Sequence, residues 1–178
     1  MLIISFIALS IILLIIFYVF TSFILFFIYK TPFVPVGTSV VKKVFQQLDF
    51  KKGNIFYDLG SGDGRVLITA SKNFGQNVTG LEINPFLCFW SKCRAGLCGA
   101  KIKIICGDLF KQDLSPANYI YMYLLPEIMA NLENKIFNSL KKDALVISYK
   151  FTFPNHLPQQ EILIKNFWGQ HKFYIYKI

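Results

Sequence analysis

Three glycines fall within five residues of Tyr57-Asp58-Leu59-Gly60-Ser61-Gly62-Asp63-Gly64-Arg65. The apolar run 54–57 leads into this loop, and Val66, Leu67, Ile68 and Ala70 begin a helical apolar face directly after it. A strand that turns at once into a helix through glycines is the context in which a phosphate- or nucleoside-holding loop forms. The backbone must adopt conformations that a side chain forbids and must come close to a ligand. The start of the helix then presents unpaired N–H groups across the loop. A tight strand-helix connection without a ligand is the plain alternative.

The spacing narrows the ligand. A dinucleotide loop reads G-x-G-x-x-G and leaves its middle clear for a pyrophosphate. Here the glycines read G-x-G-x-G, Asp63 stands in the way of such a group, and Asp58 lies two residues ahead of the first glycine. Two further acids follow at the ends of apolar runs. Glu82 closes the run 78–81, where a carboxylate can accept both hydrogen bonds of a ribose diol. Asp108 follows the alternating run 101–105. Each acid alone reads as a solvated loop carboxylate, but three at successive strand ends share the carboxyl edge of one parallel sheet.

Residues 1–29 contain no charged side chain, and Lys30 ends the run. As a helix this segment is about 40 Å long against a hydrocarbon core of about 30 Å, so a transmembrane anchor is expected. A cleaved leader fits poorly, because there is no basic start, the apolar stretch is too long, and no small-residue cleavage site lies near Lys30. All 19 lysines and arginines lie from Lys30 onward. The positive-inside tendency therefore puts the N-terminus outside and the following domain on the cytoplasmic or matrix side.

The expected organisation is an anchor at 1–29, a linker and amphipathic helix at 30–50, and one domain at 51–178. Pro32 and Pro35 keep the start of the second segment extended. Thr38 or Ser39 can cap a helix whose Val40, Val41, Val44, Phe45 and Leu48 form one stripe. This helix is expected to fold over the ligand edge, the alternative being a linker lying on the membrane. Strands are expected at 54–59, 77–82, 101–106, 118–124 and 144–149, and helices at 64–74, 85–98 and 127–140, with Asn84 capping and Pro85 opening the second helix. Beyond 149 the pattern reads as a closing antiparallel hairpin, 161–165 with 171–176, and no helix before it. The fold class is α/β, a doubly wound and mostly parallel sheet with right-handed crossovers.

The net charge of +9 suits anionic headgroups or nucleic acid. Its scattered lysine pairs, without aromatic interleaving, favour the membrane, and no nucleic-acid partner is expected. Cys88, Cys93, Cys98 and Cys106 share no metal-ligand spacing, so no metal is expected, and they read as small buried residues in a reducing compartment.

D-x-G-x-G-x-G resembles motif I of class I S-adenosylmethionine-dependent methyltransferases. The resemblance extends through 33–36, Gly80-Leu81-Glu82-Ile83-Asn84-Pro85, Gly107-Asp108-Leu109-Phe110 and Tyr123-Leu124-Leu125-Pro126 to the small membrane-anchored lysine methyltransferases. Eukaryotic members of that family act on the ATP synthase c subunit and the adenine nucleotide carrier, and bacterial relatives share the architecture. The resemblance implies S-adenosyl-L-methionine as cofactor, held by Asp58, Gly60, Ser61, Gly62, Gly64, Glu82, Ile83, Asp108 and Leu109. Asp58 would serve the methionine amino end and Asp108 the adenine amino group. Methyl transfer needs a positioned, neutral amine, so Tyr123 and Glu127, with the carbonyls of Leu124 and Leu125, are expected to orient an acceptor lysine. Aromatic packing is the other explanation of Tyr123. The expected partners are the bilayer and a membrane-protein substrate. A membrane-dissolved small-molecule acceptor and a non-catalytic nucleoside-binding module are the competing functions.

Overall fold

The computed structural model describes residues 2–29, 34–74, 77–167 and 169–178, so Lys30, Pro32, Phe33 and Trp168 lie outside the described residues. Two compact units emerge, Met1–Val34 and Pro35–Ile178. The first is one helix, α1 (Leu2–Tyr29), long and apolar enough to cross a membrane by length and composition. Two of its hydroxyls bond within the helix: Ser10 donates to the Phe6 carbonyl at 2.9 Å and Thr21 to the Phe17 carbonyl at 2.9 Å. Hydroxyls bonded in this way place no bare polar group on an apolar surface.

The second unit runs α2 (Thr38–Gln46), β1 (Phe56–Leu59), α3 (Arg65–Phe74), β2 (Val78–Glu82), α4 (Pro85–Leu97), β3 (Lys103–Cys106), a 3-10 turn (Leu109–Lys111), β4 (Tyr119–Met122), α5 (Pro126–Ser139), β5 (Leu145–Tyr149), β6 (Gln160–Asn166) and β7 (Gly169–Lys177). The strands form one sheet in the order β3-β2-β1-β4-β5-β7-β6. The first five are parallel, and β7 lies antiparallel to both β5 and β6. The doubly wound sheet and its closing hairpin agree with the sequence reading, to within a few residues at strand ends.

Alternation along each strand sorts the core into two layers. On one face, Val40, Val41, Val44 and Phe45 of α2 pack with Val66, Leu67 and Ala70 of α3 over Phe56, Tyr121 and Ile147. On the other, Met129, Leu132 and Ile136 of α5 pack over Leu59, Leu81, Ile120, Met122 and Val146. The fully buried central strands are near-continuous apolar runs, as expected where helices cover both faces.

Two local expectations need correction. Neither Thr38 nor Ser39 caps α2. The helix begins at Thr38 itself, with the extended Gly37 in the cap position and no side-chain cap bond. Of the four cysteines only Cys88 is buried, because Cys93 points outward from α4, Cys98 ends that helix and Cys106 ends the edge strand β3. Asn84, by contrast, caps α4 as expected, accepting from the Phe86 and Leu87 amides.

Between β5 and β6 the chain has no helix, and a buried carboxylate organises it. Glu133 accepts from the Asn155 amide, the Asn155 side chain and His156 Nδ1, each at 2.8 Å. His156 stacks on Phe137 with centroids 3.5 Å apart. Burial alone would raise the Glu133 carboxyl, but the His156 and Asn155 bonds outweigh it and hold it below the ordinary value. Three charge-assisted bonds thus fix a segment that carries no regular structure.

Gly80, inside β2, makes room for the loop above it. A Cβ there would lie 2.4 Å from Leu67 Cδ1 and 2.6 Å from Ser61 Oγ. Gly80→Ala is therefore expected to destabilise the domain by about 1–3 kcal/mol, read as a lower denaturation midpoint. An unchanged midpoint would show that the loop can shift freely.

Candidate active site

At the carboxyl ends of β1 and β2 the glycine loop leaves the sheet. Gly60, Gly62 and Gly64 all have positive φ, at 75°, 54° and 76°, a region open to glycine at little cost. Close approach adds a second constraint, because a Cβ on Gly64 would sit 2.8 Å from Ser91 Cβ of α4. The loop amides of Gly60 and Ser61 donate to the Leu81 carbonyl at 2.8 and 3.0 Å.

Two carboxylates hold the loop from opposite sides. Glu82, buried at the tip of β2, accepts the Gly62 amide on Oε2 and the Asn84 amide on Oε1, both at 2.8 Å. Its two oxygens keep acceptor capacity beyond these bonds. Burial raises its carboxyl, and the amide bonds oppose that rise. Asp63 is buried and paired with arginines. It takes Arg65 in a fork, Nε to Oδ1 at 2.9 Å and Nη2 to Oδ2 at 2.7 Å, and also pairs with Arg94 of α4. Burial works against its charge, but the two guanidinium groups outweigh it and keep the carboxyl below its usual value. Arg65 Nη1 also donates to the Val36 carbonyl at 3.0 Å, so one guanidinium joins the loop to the segment leading into α2.

Asp58 is placed differently. It is 2% exposed and lies in register with Gly80 on one side and Tyr121 on the other. Register partners in a parallel sheet share a face, and Ser61 Oγ lies over Gly80. Among the described residues, Asp58 Oδ2, Ser61 Oγ and the Tyr121 hydroxyl are buried oxygens without a hydrogen-bond partner. Unsatisfied buried groups are uncommon and call for a ligand or water. Desolvation raises the Asp58 carboxyl well above its ordinary value, and Glu82 and Asp63 add to the rise. Tyr121 is raised in turn, first by burial and then by Asp58. Phe45 of α2 packs edge-on against the Tyr121 ring of this row, with centroids 6.3 Å apart. The row's carboxyl and hydroxyl oxygens can each still accept a hydrogen bond, and the hydroxyls can donate one.

The remaining expected residues fall along the same rim. Asp108 is half-buried and caps the 3-10 turn, accepting the Phe110 amide at 2.9 Å. Leu109 opens that turn, and Ile83 follows Glu82; both are half-buried. Tyr123, past the end of β4, packs its ring edge-on to Tyr149 at 4.6 Å and near-parallel to Phe151 at 6.2 Å. Glu127 is exposed in the first turn of α5, where the helix start favours an anion. Leu125 cannot serve as expected, because its carbonyl already receives the Ile128 and Met129 amides at 3.0 Å and α5 consumes both lone pairs.

Further residues stand around Tyr123 and Asp58. Lys150 has φ 70° and sets its ammonium 5.4 Å from the Tyr123 ring and 5.5 Å from the Tyr149 ring. A hydrogen bond to Tyr123 is the main cause of its raised pKa. Tyr149 bonds His171 Nδ1 at 2.6 Å. Tyr121 and Gly80 stand in segments the sequence marks for other residues, and their places on either side of Asp58 follow from strand register.

A sheet of this order with a carboxylate-lined glycine loop at its rim defines the class of nucleoside-cofactor methyltransferase folds. The ANTKMT methyltransferase domain model matches residues 58–160, and the chain belongs to that family, as its motifs led us to expect. It is 37% identical over 130 residues to the human lysine N-methyltransferase of the ATP synthase c subunit, covering 71% of this chain and 54% of the relative. A protein-lysine N-methyltransferase of Saccharolobus islandicus is 30% identical over 155 residues, covering 83% of this chain and 93% of the relative. The chain thus spans about half the length of the animal relatives and nearly all of the archaeal one. Among solved structures, an RNA methyltransferase from Salinibacter ruber in complex with S-adenosyl-L-homocysteine superposes with TM-score 0.74 at 31% identity, covering 82% of this chain and 94% of that one.

The raised Asp58 carboxyl has a consequence for stability. A group that binds its proton more tightly in the folded chain than in the unfolded one lowers stability as pH rises from the ordinary carboxylate range through the raised value. Asp58→Asn is expected to stabilise the ligand-free protein at neutral pH by about 1–3 kcal/mol, with the gain vanishing below about pH 3, where both states are protonated. Denaturation midpoints against pH test this; a variant less stable than its parent at pH 7 contradicts it.

Proposed function

We propose that this chain is an S-adenosyl-L-methionine-dependent protein-lysine N-methyltransferase, held at a membrane by α1 and acting on a membrane protein. The carrying observation is the row of buried, unpartnered oxygens, Asp58 Oδ2, Ser61 Oγ and Tyr121 OH, directly beneath the glycine loop. Family membership and the lysine methyltransferases among the relatives support the lysine acceptor. The long apolar helix supports the tether.

In this reading S-adenosyl-L-methionine supplies an electrophilic methyl group. Asp58 and Ser61 hold its amino acid end, the backbone at Gly60, Gly62 and Gly64 lies against it, and Glu82 with Ile83 binds the ribose. Asp108 and Leu109 hold the base. Glu82 does double duty, since the carboxylate that binds the diol also fixes Gly62. An approaching lysine, with an ordinary pKa of about 10.4, must arrive as the free amine. Tyr123 orients that amine by its hydroxyl and ring face, with Glu127 and the Leu124 carbonyl at the entrance. The face of Tyr123 already accommodates one ammonium, that of Lys150.

Two measurements test the proposal. Isothermal titration of the detergent-purified protein with S-adenosyl-L-homocysteine should give binding that Asp58→Ala abolishes. Glu82→Ala should weaken binding at least about tenfold, on the order of one charge-assisted hydrogen bond. Membranes incubated with labelled methyl donor should then yield labelled lysine in a protein fraction, lost in Asp58→Ala and reduced in Tyr123→Phe. Label extracted into organic solvent, or found on added RNA and absent from protein, would move the acceptor to another class. Ligand binding without any labelled acceptor would leave a binding module.

A further inference from the structure

Helix α4 is apolar on two opposite sides. Leu87, Cys88, Ser91 and Ala95 face the sheet and are buried. On the outer side Phe86, Phe89, Trp90 and Leu97 are 49, 64, 49 and 89% exposed, with Cys93 exposed among them. At 100° per residue these five positions fall within an arc of about 100°. Exposed Lys92 borders the arc on one side and Arg94 on the other. Exposed Lys101 follows the helix, and exposed Lys103 lies on the edge strand β3. A helix with apolar residues on both faces is ordinarily a buried one, and an aromatic stripe of this kind marks an interaction surface.

We infer that this face of α4 lies in the headgroup region of an anionic bilayer, as a second contact beside the α1 tether. The inference rests on the tethered reading above. Three observations select lipid as the occupant. Only six chain steps separate Tyr29, the end of α1, from Pro35, the start of the folded unit. They reach about 22 Å at full extension, so a domain tethered by α1 cannot leave the surface. The stripe has interfacial chemistry, with phenylalanine, tryptophan and leucine between basic residues. The charge is also complementary, since the +9 net charge is drawn to anionic headgroups. The stripe starts four residues after Glu82, and Arg94 pairs with Asp63 of the glycine loop. Seating α4 on lipid therefore keeps the ligand rim next to the surface, within reach of acceptors that emerge from it.

Trp90 reports on the contact directly. The chain has two tryptophans, so Trp168→Phe leaves Trp90 as the sole emitter. The full chain is reconstituted into nanodiscs of phosphatidylcholine and phosphatidylglycerol, with or without bromine on the acyl chains. Trp90 emission should shift to shorter wavelength and lose most of its intensity to brominated lipid, and Phe89→Asp with Leu97→Asp should remove both effects. Titration with S-adenosyl-L-homocysteine checks that the doubly substituted protein is folded. Unquenched, red-shifted Trp90 overturns the inference. So does a blue-shifted Trp90 that brominated lipid leaves untouched while the protein self-associates, which would assign the stripe to a second copy. Alkaline carbonate extraction reads the tether separately: an extractable chain defeats the anchored reading, and an unquenched Trp90 in a resistant chain defeats only the α4 contact.

Discussion

The bond from the Gly62 amide to the Glu82 carboxylate is the contact on which the candidate site depends. It reaches from the tip of β2 to the middle of the loop that follows β1, and so fixes a segment of three left-handed glycines that has little stiffness of its own. The Asn84 amide takes the other carboxylate oxygen, so the same side chain sets the start of α4. Asp63 completes the frame by drawing Arg65 of α3 and Arg94 of α4 onto one carboxylate. Loop, crossover helices and the segment before α2 are thereby joined through a few buried charges.

These charges fall into two kinds. Asp63 and Glu133 are over-supplied with donors and remain ionised despite their burial. Asp58 has no such supply, and its neighbours Glu82 and Asp63 are themselves acidic. A carboxyl raised by desolvation beside unpartnered hydroxyls marks a candidate ligand site. The fold tolerates this local cost because two apolar layers surround it. The contrast separates acids tied down by donors from one left without them, a distinction that identity and spacing alone do not make.

Much of the architecture was legible because it follows from periodicity. The glycine loop, the capped start of α4 at Asn84-Pro85 and the closing hairpin each carry a local chemical signature, and each appears where that signature stands. The Thr38 or Ser39 cap was misread because Gly37, in extended backbone, already turns the chain into the helix. The Leu125 carbonyl was misread because a strand-end carbonyl and a helix-start carbonyl look alike in sequence. Cys93 proved exposed because the outward stripe of α4 is apolar too, so composition could not tell its two faces apart, while Cys98 and Cys106 sit at the ends of a helix and an edge strand.

The sequence by itself determined the order of elements, the glycine loop and the three acids at strand ends, since turn chemistry and hydrophobic period are properties of neighbouring residues. It also determined that residues 1–29 carry no charge. Only the tertiary structure decided which acid is tied down and which is left bare, that Tyr121 and Gly80 flank Asp58, and that Lys150 leans on Tyr123. Those relations join residues that are mostly far apart in the chain and meet across adjacent strands, where register and burial, rather than local preference, set what each side chain meets.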